Sequence, residues 1–161
     1  MITKINTNMK LSEHFTLAEL TKTSVMIENV PNEAQVNNLK RLCGWLEELR
    51  EKNSLTPNPS PKGEGNSDDP IIINSGYRSP AVNRAVGGAP NSNHLTGCAV
   101  DIHVSGMEQL IRYAAILLDI SDERQEDFDE LLLERSPRGT YWLHFAVRPS
   151  GNRRKVAFLR V

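Results

Sequence analysis

Two cysteines, Cys43 and Cys98, are all the chain contains, too few for the disulfide framework of a small secreted scaffold. They do not form a C-x-x-C pair, which argues against a thiolate zinc site. Cys43 falls inside a helical pattern and Cys98 at the start of a strand pattern, positions where small buried thiols are common. An excess of charge is missing as well: 19 Lys and Arg stand against 20 Asp and Glu, for a net charge of -1. That balance argues against a general nucleic-acid binder, which needs a basic surplus to neutralise phosphates. No stretch approaches the ~20 consecutive apolar residues of a membrane-spanning helix. The opening MITKINTNMK has no apolar core of the kind that drives secretion, so no signal peptide is expected. Internal repeats are absent too.

What is present is an ordinary globular composition: 161 residues, 39% hydrophobic and 24% charged, with a mean hydropathy of -0.43. A chain this long can bury roughly 70% of the surface it exposes when unfolded, so it needs no staples to fold. A single domain over residues 1–161 is expected, and a monomer. Thr16-Leu17-Ala18-Glu19 has capping-box spacing and should open a short helix. Pro31-Asn32 precedes a longer helix to about Glu51, with Val36, Leu39, Leu42, Leu46 and Leu49 on one stripe. Residues 53–70 change character abruptly: four of the nine prolines and two glycines fall there. Such a stretch cannot bury enough apolar surface to offset ordering, and a flexible insert is expected.

Ile71-Ile72-Ile73 then reads as a short buried strand. Ser79-Pro80 supplies an N-cap and a first-turn proline for a helix over about 80–86. Residues 98–104 alternate as a strand. Ser105 with Glu108 forms a second capping box, opening a helix whose buried stripe is Leu110, Ile111, Ala114, Leu117 and Leu118. Residues 128–134 and 140–147 read as strands joined by the turn Ser136-Pro137-Arg138-Gly139, and 153–161 as a third. Helices followed by an antiparallel meander give an α+β class, an antiparallel sheet with helices packed mainly on one side.

The segment 92–101, SNHLTGCAVD, carries the most chemistry. His94 lies in a glycine-containing loop, and Asp101 sits inside an apolar strand between Val100 and Ile102. A carboxylate there needs a partner, because unpaired buried charge is costly. A metal ion is one such partner; Arg78 is another, and capping a turn is a third role. Imidazole and carboxylate ligands suit zinc, whose catalytic sites use three protein ligands and leave one position open. His144, in Tyr141-Trp142-Leu143-His144-Phe145, would complete the set, although a hydrogen-bonded core histidine explains it equally well.

Ser92-x-His94-x-x-Gly97-x-Ala99-x-Asp101 resembles the signature of the zinc D-alanyl-D-alanine metallopeptidases. That family holds peptidoglycan carboxypeptidases, dipeptidases and phage endolysins related to the hedgehog domain. The likeness extends through Ser75-Gly76-Tyr77-Arg78-Ser79-Pro80, Asn83 and Val86-Gly87-Gly88, back to Ser12-Glu13-His14-Phe15-Thr16, and on to Trp142-x-His144. It implies a hedgehog/DD-peptidase-like fold, Zn2+ held by His94, Asp101 and His144, and metal-activated water that hydrolyses peptidoglycan stem peptides. Arg78 would be the substrate arginine, since its donor fork meets planar oxygens bidentately; a salt bridge to a nearby acid is the simpler role. Ser92 would orient the loop near the metal or touch substrate, and Tyr77 and Trp142 either pack or line the groove. The resemblance also implies action on the cell wall. With no signal peptide expected, the protein would stay cytoplasmic until released, as by phage lysis.

One position departs from the pattern. Many relatives place an acidic base three residues before the last ligand, where this chain has Tyr141. If the hairpin sets 134 opposite 142, Glu134 shares a face with Trp142 and His144 and becomes the expected base. Glu130 has the same parity but lies further from the turn. Asp129 is the second candidate, because FDELLLE is similar to the FDQL-like stretch of close relatives. His103 shares the parity of Asp101 without support from the motif, and His14 reads as structural. The departure at Tyr141 leaves a rival reading, a catalytically inactive zinc module that binds cell wall or a partner.

Overall fold

The computed structural model describes residues 6–55 and 69–161. The chain opens with a four-residue helix α1 (Leu17–Leu20), whose Thr16 cap accepts from the Glu19 backbone while the Glu19 side chain returns to the Thr16 backbone. Helix α2 (Glu33–Leu55) follows. Its start is closed by a reciprocal pair in which the Gln35 N–H donates to Asn32 Oδ1 and the Asn32 N–H to Gln35 Oε1, both at 2.8 Å. Most of the insert expected at 53–70 lies outside the described residues. Its first three residues instead prolong α2, because Asn53 continues the buried Leu42–Leu46–Leu49 stripe.

Strand β1 (Ile73–Ser75) leads through residues 76–79 to α3 (Pro80–Ala85), where Ser79 Oγ accepts the Val82 N–H. A single 3₁₀ turn at Asn93–Thr96 delivers the chain into β2 (Ala99–His103). Helix α4 (Met107–Arg124) differs from expectation at its start: its cap is Gly106 without a side-chain bond, and the Ser105 N–H donates to Gln109 Oε1 instead. Its buried face also turns further than expected. Leu110, Tyr113, Ala114, Leu117 and Ile120 face the core, and Ile111 remains half exposed.

Three strands complete the chain: β3 (Glu130–Arg135), β4 (Tyr141–Ala146) and β5 (Lys155–Arg160). The sheet order is β1-β2-β4-β3-β5. All pairings are antiparallel except β3 with β5, which run parallel. The expected antiparallel meander is therefore a mixed sheet: β5 does not turn back on β4 but crosses to the far side of β3. Alternating polarity marks a strand, but it does not say which neighbour that strand joins or in which direction.

Strand parity divides the sheet into two unlike faces. Val100, Ile102, Leu131, Leu133, Leu143 and Phe145 point into the core beneath α2 and α4, with the Trp45 and Phe145 rings 5.5 Å apart. The opposite face presents Asp101 and His103 from β2, Trp142 and His144 from β4, and Glu130 and Glu134 from β3. The register stacks these into rungs. Asp101 stands opposite His144 and His144 opposite Leu132, while His103 faces Trp142 and Trp142 faces Glu134. Polar chemistry thus occupies the side that the two long helices leave open.

Candidate metal centre and active site

His94 is placed by its backbone before its ring makes any contact. Ser92 Oγ accepts the His94 N–H at 3.2 Å, and the His94 carbonyl accepts from Arg78 N at 3.0 Å. Gly97 ends the turn at φ 74°, and a Cβ there would lie 2.6 Å from the Gln35 carbonyl oxygen. Only glycine combines that backbone conformation with so close an approach of α2. The ring is then oriented by Gly76, whose carbonyl lies 2.7 Å from Nδ1. A carbonyl can only accept, so Nδ1 donates to it and Nε2 is the nitrogen turned towards the cluster. Nε2 faces Asp101 Oδ1 at 3.3 Å.

Asp101 and His144 meet across one β2–β4 rung, with His144 Nδ1 3.0 Å from the same Oδ1. Burial pushes the Asp101 carboxyl up, but the charge of His94 and the hydrogen bonds of His144 and His94 hold it well below the usual carboxylate range. Burial also works against a charged His144. Its bonds to Asp101 and Glu130 prevail and raise it to about 9. Arg78 closes the far side, donating Nη2 to Asp101 Oδ2 and Nε to Ser75 Oγ, each at 3.0 Å. Asp101 thus pairs with Arg78 through one oxygen and faces two imidazoles through the other.

His94, Asp101 and His144 each offer a ligand atom, and all three atoms lie within 4.8 Å of one another. Bonds of about 2.0–2.1 Å to a tetrahedral ion set neighbouring ligand atoms ~3.3 Å apart. The two contacts to Asp101 Oδ1 are close to that spacing. The donor set fits as well, since two imidazoles and a carboxylate leave one position of a four-coordinate ion open. Two orphan-free second nitrogens support the fit: Nδ1 of His94 goes to Gly76 and Nε2 of His144 to Glu130, as outer partners fix metal-ligating imidazoles elsewhere.

The Glu130 contact is the one that sequence reasoning passed over. Glu130 Oε1 lies 3.3 Å from His144 Nε2 and accepts from Asn93 Nδ2 at 2.7 Å. Its hydrogen bond to His144, ahead of opposing burial, lowers its pKa. The signal was available in its parity with Glu134. Distance from the turn was the wrong criterion, because β3 runs past His144 at Leu132 and puts both acids one step from that rung. Glu134 occupies the other step, opposite Trp142 as the turn geometry requires. Burial raises its pKa, with His144 pulling it down and Asp101 pushing it up.

Asp129, the second candidate base, lies elsewhere. It is fully buried and accepts from Arg153 Nε, Arg153 Nη2 and Asn93 Nδ2 at 2.8–3.0 Å. Burial pushes its carboxyl up, yet the bonds from Arg153 and Asn93 hold it low. The Arg153 N–H adds a fourth donor at 3.1 Å, so every lone-pair position of the carboxylate is engaged and Asp129 ties β3 to the residues that lead into β5. Tyr77 is likewise removed from substrate reach: it is 4% exposed and part of the hydrophobic core. Trp142 remains half-buried on the open face. Tyr141 has the opposite parity and packs against the core, so the position where relatives carry their base does not face the cluster. His103 is exposed on the open face, and His14 pairs with Glu47 away from it. Both cysteines are buried and free.

Residues 62–127 match the model of the family Peptidase M15. That segment is similar to the M15 peptidases. The matched segment carries Arg78, Ser92, His94 and Asp101 and ends before β3, so His144 joins the candidate cluster by geometry alone, with Glu130 in contact with it. No curated protein sequence matches the chain. The match supports a metallopeptidase, and M15 peptidases are metal-dependent, usually with zinc; the His94–Asp101–His144 cluster could hold such an ion. Among the described residues no helix is long and apolar enough to cross a membrane.

Proposed function

We propose that this chain is a zinc-dependent peptidase that hydrolyses D-amino-acid-containing stem peptides of bacterial peptidoglycan. The observation that carries the reading is the His94–Asp101–His144 cluster on the open face of the sheet, flanked by two carboxylates whose surroundings push them in opposite directions. Such divergence is how acid–base roles separate within one site. The lowered Glu130 remains an anion that holds His144 by its outer nitrogen. The raised Glu134 lies nearer neutrality, where a base that must also return its proton works best.

Zinc held by His94 Nε2, Asp101 and His144 Nδ1 would supply Lewis acidity, polarising the scissile carbonyl and making water nucleophilic near pH 7. The protein groups do the rest. Water oxygen adds to the carbonyl carbon while Glu134 accepts the departing proton; Glu134 then gives that proton to the amine as the C–N bond breaks. Arg78 holds a substrate carboxylate or carbonyl oxygen through its guanidinium, and Ser92 fixes the loop that presents His94. A sheet with one face open and long helices on the other also agrees with a hedgehog/DD-peptidase-like architecture.

Mass spectrometry of peptidoglycan fragments incubated with the purified protein tests the proposal. Cleavage that requires zinc and stops with a chelator is expected; intact fragments under both conditions would overturn it. Binding of fragments without any cleavage would instead identify the inactive zinc module.

A further inference from the structure

The 3₁₀ turn that carries His94 also carries a buried amide that the reaction steps do not involve. Asn93 is 7% exposed, and both polar atoms of its side chain have partners. Nδ2 donates to Glu130 Oε1 at 2.7 Å and to Asp129 Oδ2 at 2.8 Å, while Oδ1 accepts from Arg148 Nε at 3.1 Å. The direction of the amide is forced. A guanidinium only donates and an ionised carboxylate only accepts, so Oδ1 faces Arg148 and Nδ2 faces the two acids. Turned the other way, the amide would set an acceptor against two anions away from water.

Asparagine suits this position where its neighbours in shape do not. Aspartate would add a third carboxylate beside two, and leucine would leave both acids without this donor. The backbone is held as well: the Asn93 carbonyl accepts the Cys98 N–H at 3.0 Å and Thr96 Oγ1 at 3.2 Å. Glu130 is the mobile member of the pair, because a glutamate has considerable side-chain freedom to lose. Among the described residues its Oε1 is shared between Asn93 Nδ2 and His144 Nε2, at 2.7 and 3.3 Å. Arg153, half exposed, stands 3.6 Å from Oε2. The short bond from a fixed, buried amide is therefore the contact that selects the Glu130 conformation.

We propose that Asn93 is a positioning residue for the metal centre, seating Glu130 against His144 Nε2. One turn then places two of the three candidate ligands: His94 directly, as the next residue in the chain, and His144 through Glu130. With Nε2 engaged, His144 keeps Nδ1 towards the cluster, as outer partners orient metal-binding imidazoles. The inference rests on the zinc reading of the cluster and extends it to the residue that orders its outer carboxylate.

The test is a cycle of zinc affinities, read by chelator competition on the full chain, for Asn93→Ala, Glu130→Ala and the two combined. Asn93→Ala should weaken zinc binding about tenfold. A group that acts through another adds nothing once the other is gone, so the double variant should bind within about twofold of Glu130→Ala alone. Asp129 keeps its three bonds from Arg153 in Asn93→Ala, and a metal-free melt should show the fold retained. Arg148→Met removes the donor that orients the amide while leaving the turn untouched; it carries the test if Asn93→Ala does not fold. A smaller loss is expected there, again absent in the Glu130→Ala background. Unchanged affinity in the single variants, or losses that multiply in the double variant, would overturn the proposal. If the unaltered chain binds no zinc, the zinc reading fails and Asn93 is judged by crystal structures of the metal-free protein and of Asn93→Ala. Glu130 Oε1 withdrawn beyond about 3.5 Å from His144 Nε2 in the variant upholds the placement; a contact kept within that distance refutes it.

Discussion

His144 is gripped at both ring nitrogens, by Asp101 at Nδ1 and by Glu130 at Nε2, and this double hold fixes which nitrogen can serve a metal. Removing the charge from the outer partner should weaken the site without dismantling it. Glu130→Gln is expected to lower zinc affinity by about 10–100-fold, as loss of an outer carboxylate does at comparable sites. Chelator competition reads that loss, and a thermal melt without metal should show the fold intact. Glu134→Gln should behave in the opposite way, keeping zinc affinity while turnover falls by about 10²–10⁴-fold. The two acids lie on one face of one strand, so their contrasting phenotypes separate holding a ligand from moving a proton. Parity made both visible in the sequence. Which one touches His144 depends on how side chains lean between rungs, and residue spacing does not encode that.

Strand β3 alternates its tasks along its length: Glu130 and Glu134 face the site, Leu131 and Leu133 the core. Asp129, just before it, is the anchor that joins β3 to β5 through Arg153. Because its folded-state pKa is depressed, Asp129 contributes stability that is present above its unfolded pKa of about 4. That contribution is lost as pH falls through the lower folded value. Asp129→Asn should therefore cost about 1–3 kcal/mol at pH 7 in urea unfolding, and the gap from the unaltered protein should shrink towards pH 3. The loop before β2 depends on Gly97 in a comparable way. Gly97→Ala places a Cβ against the Gln35 carbonyl at a positive φ and should lower stability by at least about 1–2 kcal/mol, read as a drop in Tm. Elements governed by local chemistry were legible from the chain: Thr16 and Ser79 cap where their motifs predict. Ser105 does not, because Gln109 reaches back to its N–H first, and both partners suit that turn equally well in sequence.

The whole molecule assembles its centre from a loop and two strands that only the sheet brings together. The candidate ligands were legible as residue types because a carboxylate inside Ala99-Val100-Asp101-Ile102 and a histidine inside Leu143-His144-Phe145 each break an apolar run. The long-range pairing that joins them is not written in either segment, and the same gap explains why the parallel partnership of β5 with β3 went unforeseen. A metal that bridges such distant segments should stabilise the folded chain. At zinc concentrations about 100 times Kd the gain is about 2.7 kcal/mol, reversed by a chelator. The most direct test of the centre itself is X-ray absorption at the zinc edge on the purified, zinc-loaded protein. One ion per chain with two imidazole nitrogens and further oxygen ligands at about 2.0–2.2 Å is the expected result, with one imidazole lost in His144→Ala. A sulfur ligand at about 2.3 Å, or an unchanged spectrum in His144→Ala, would contradict the account.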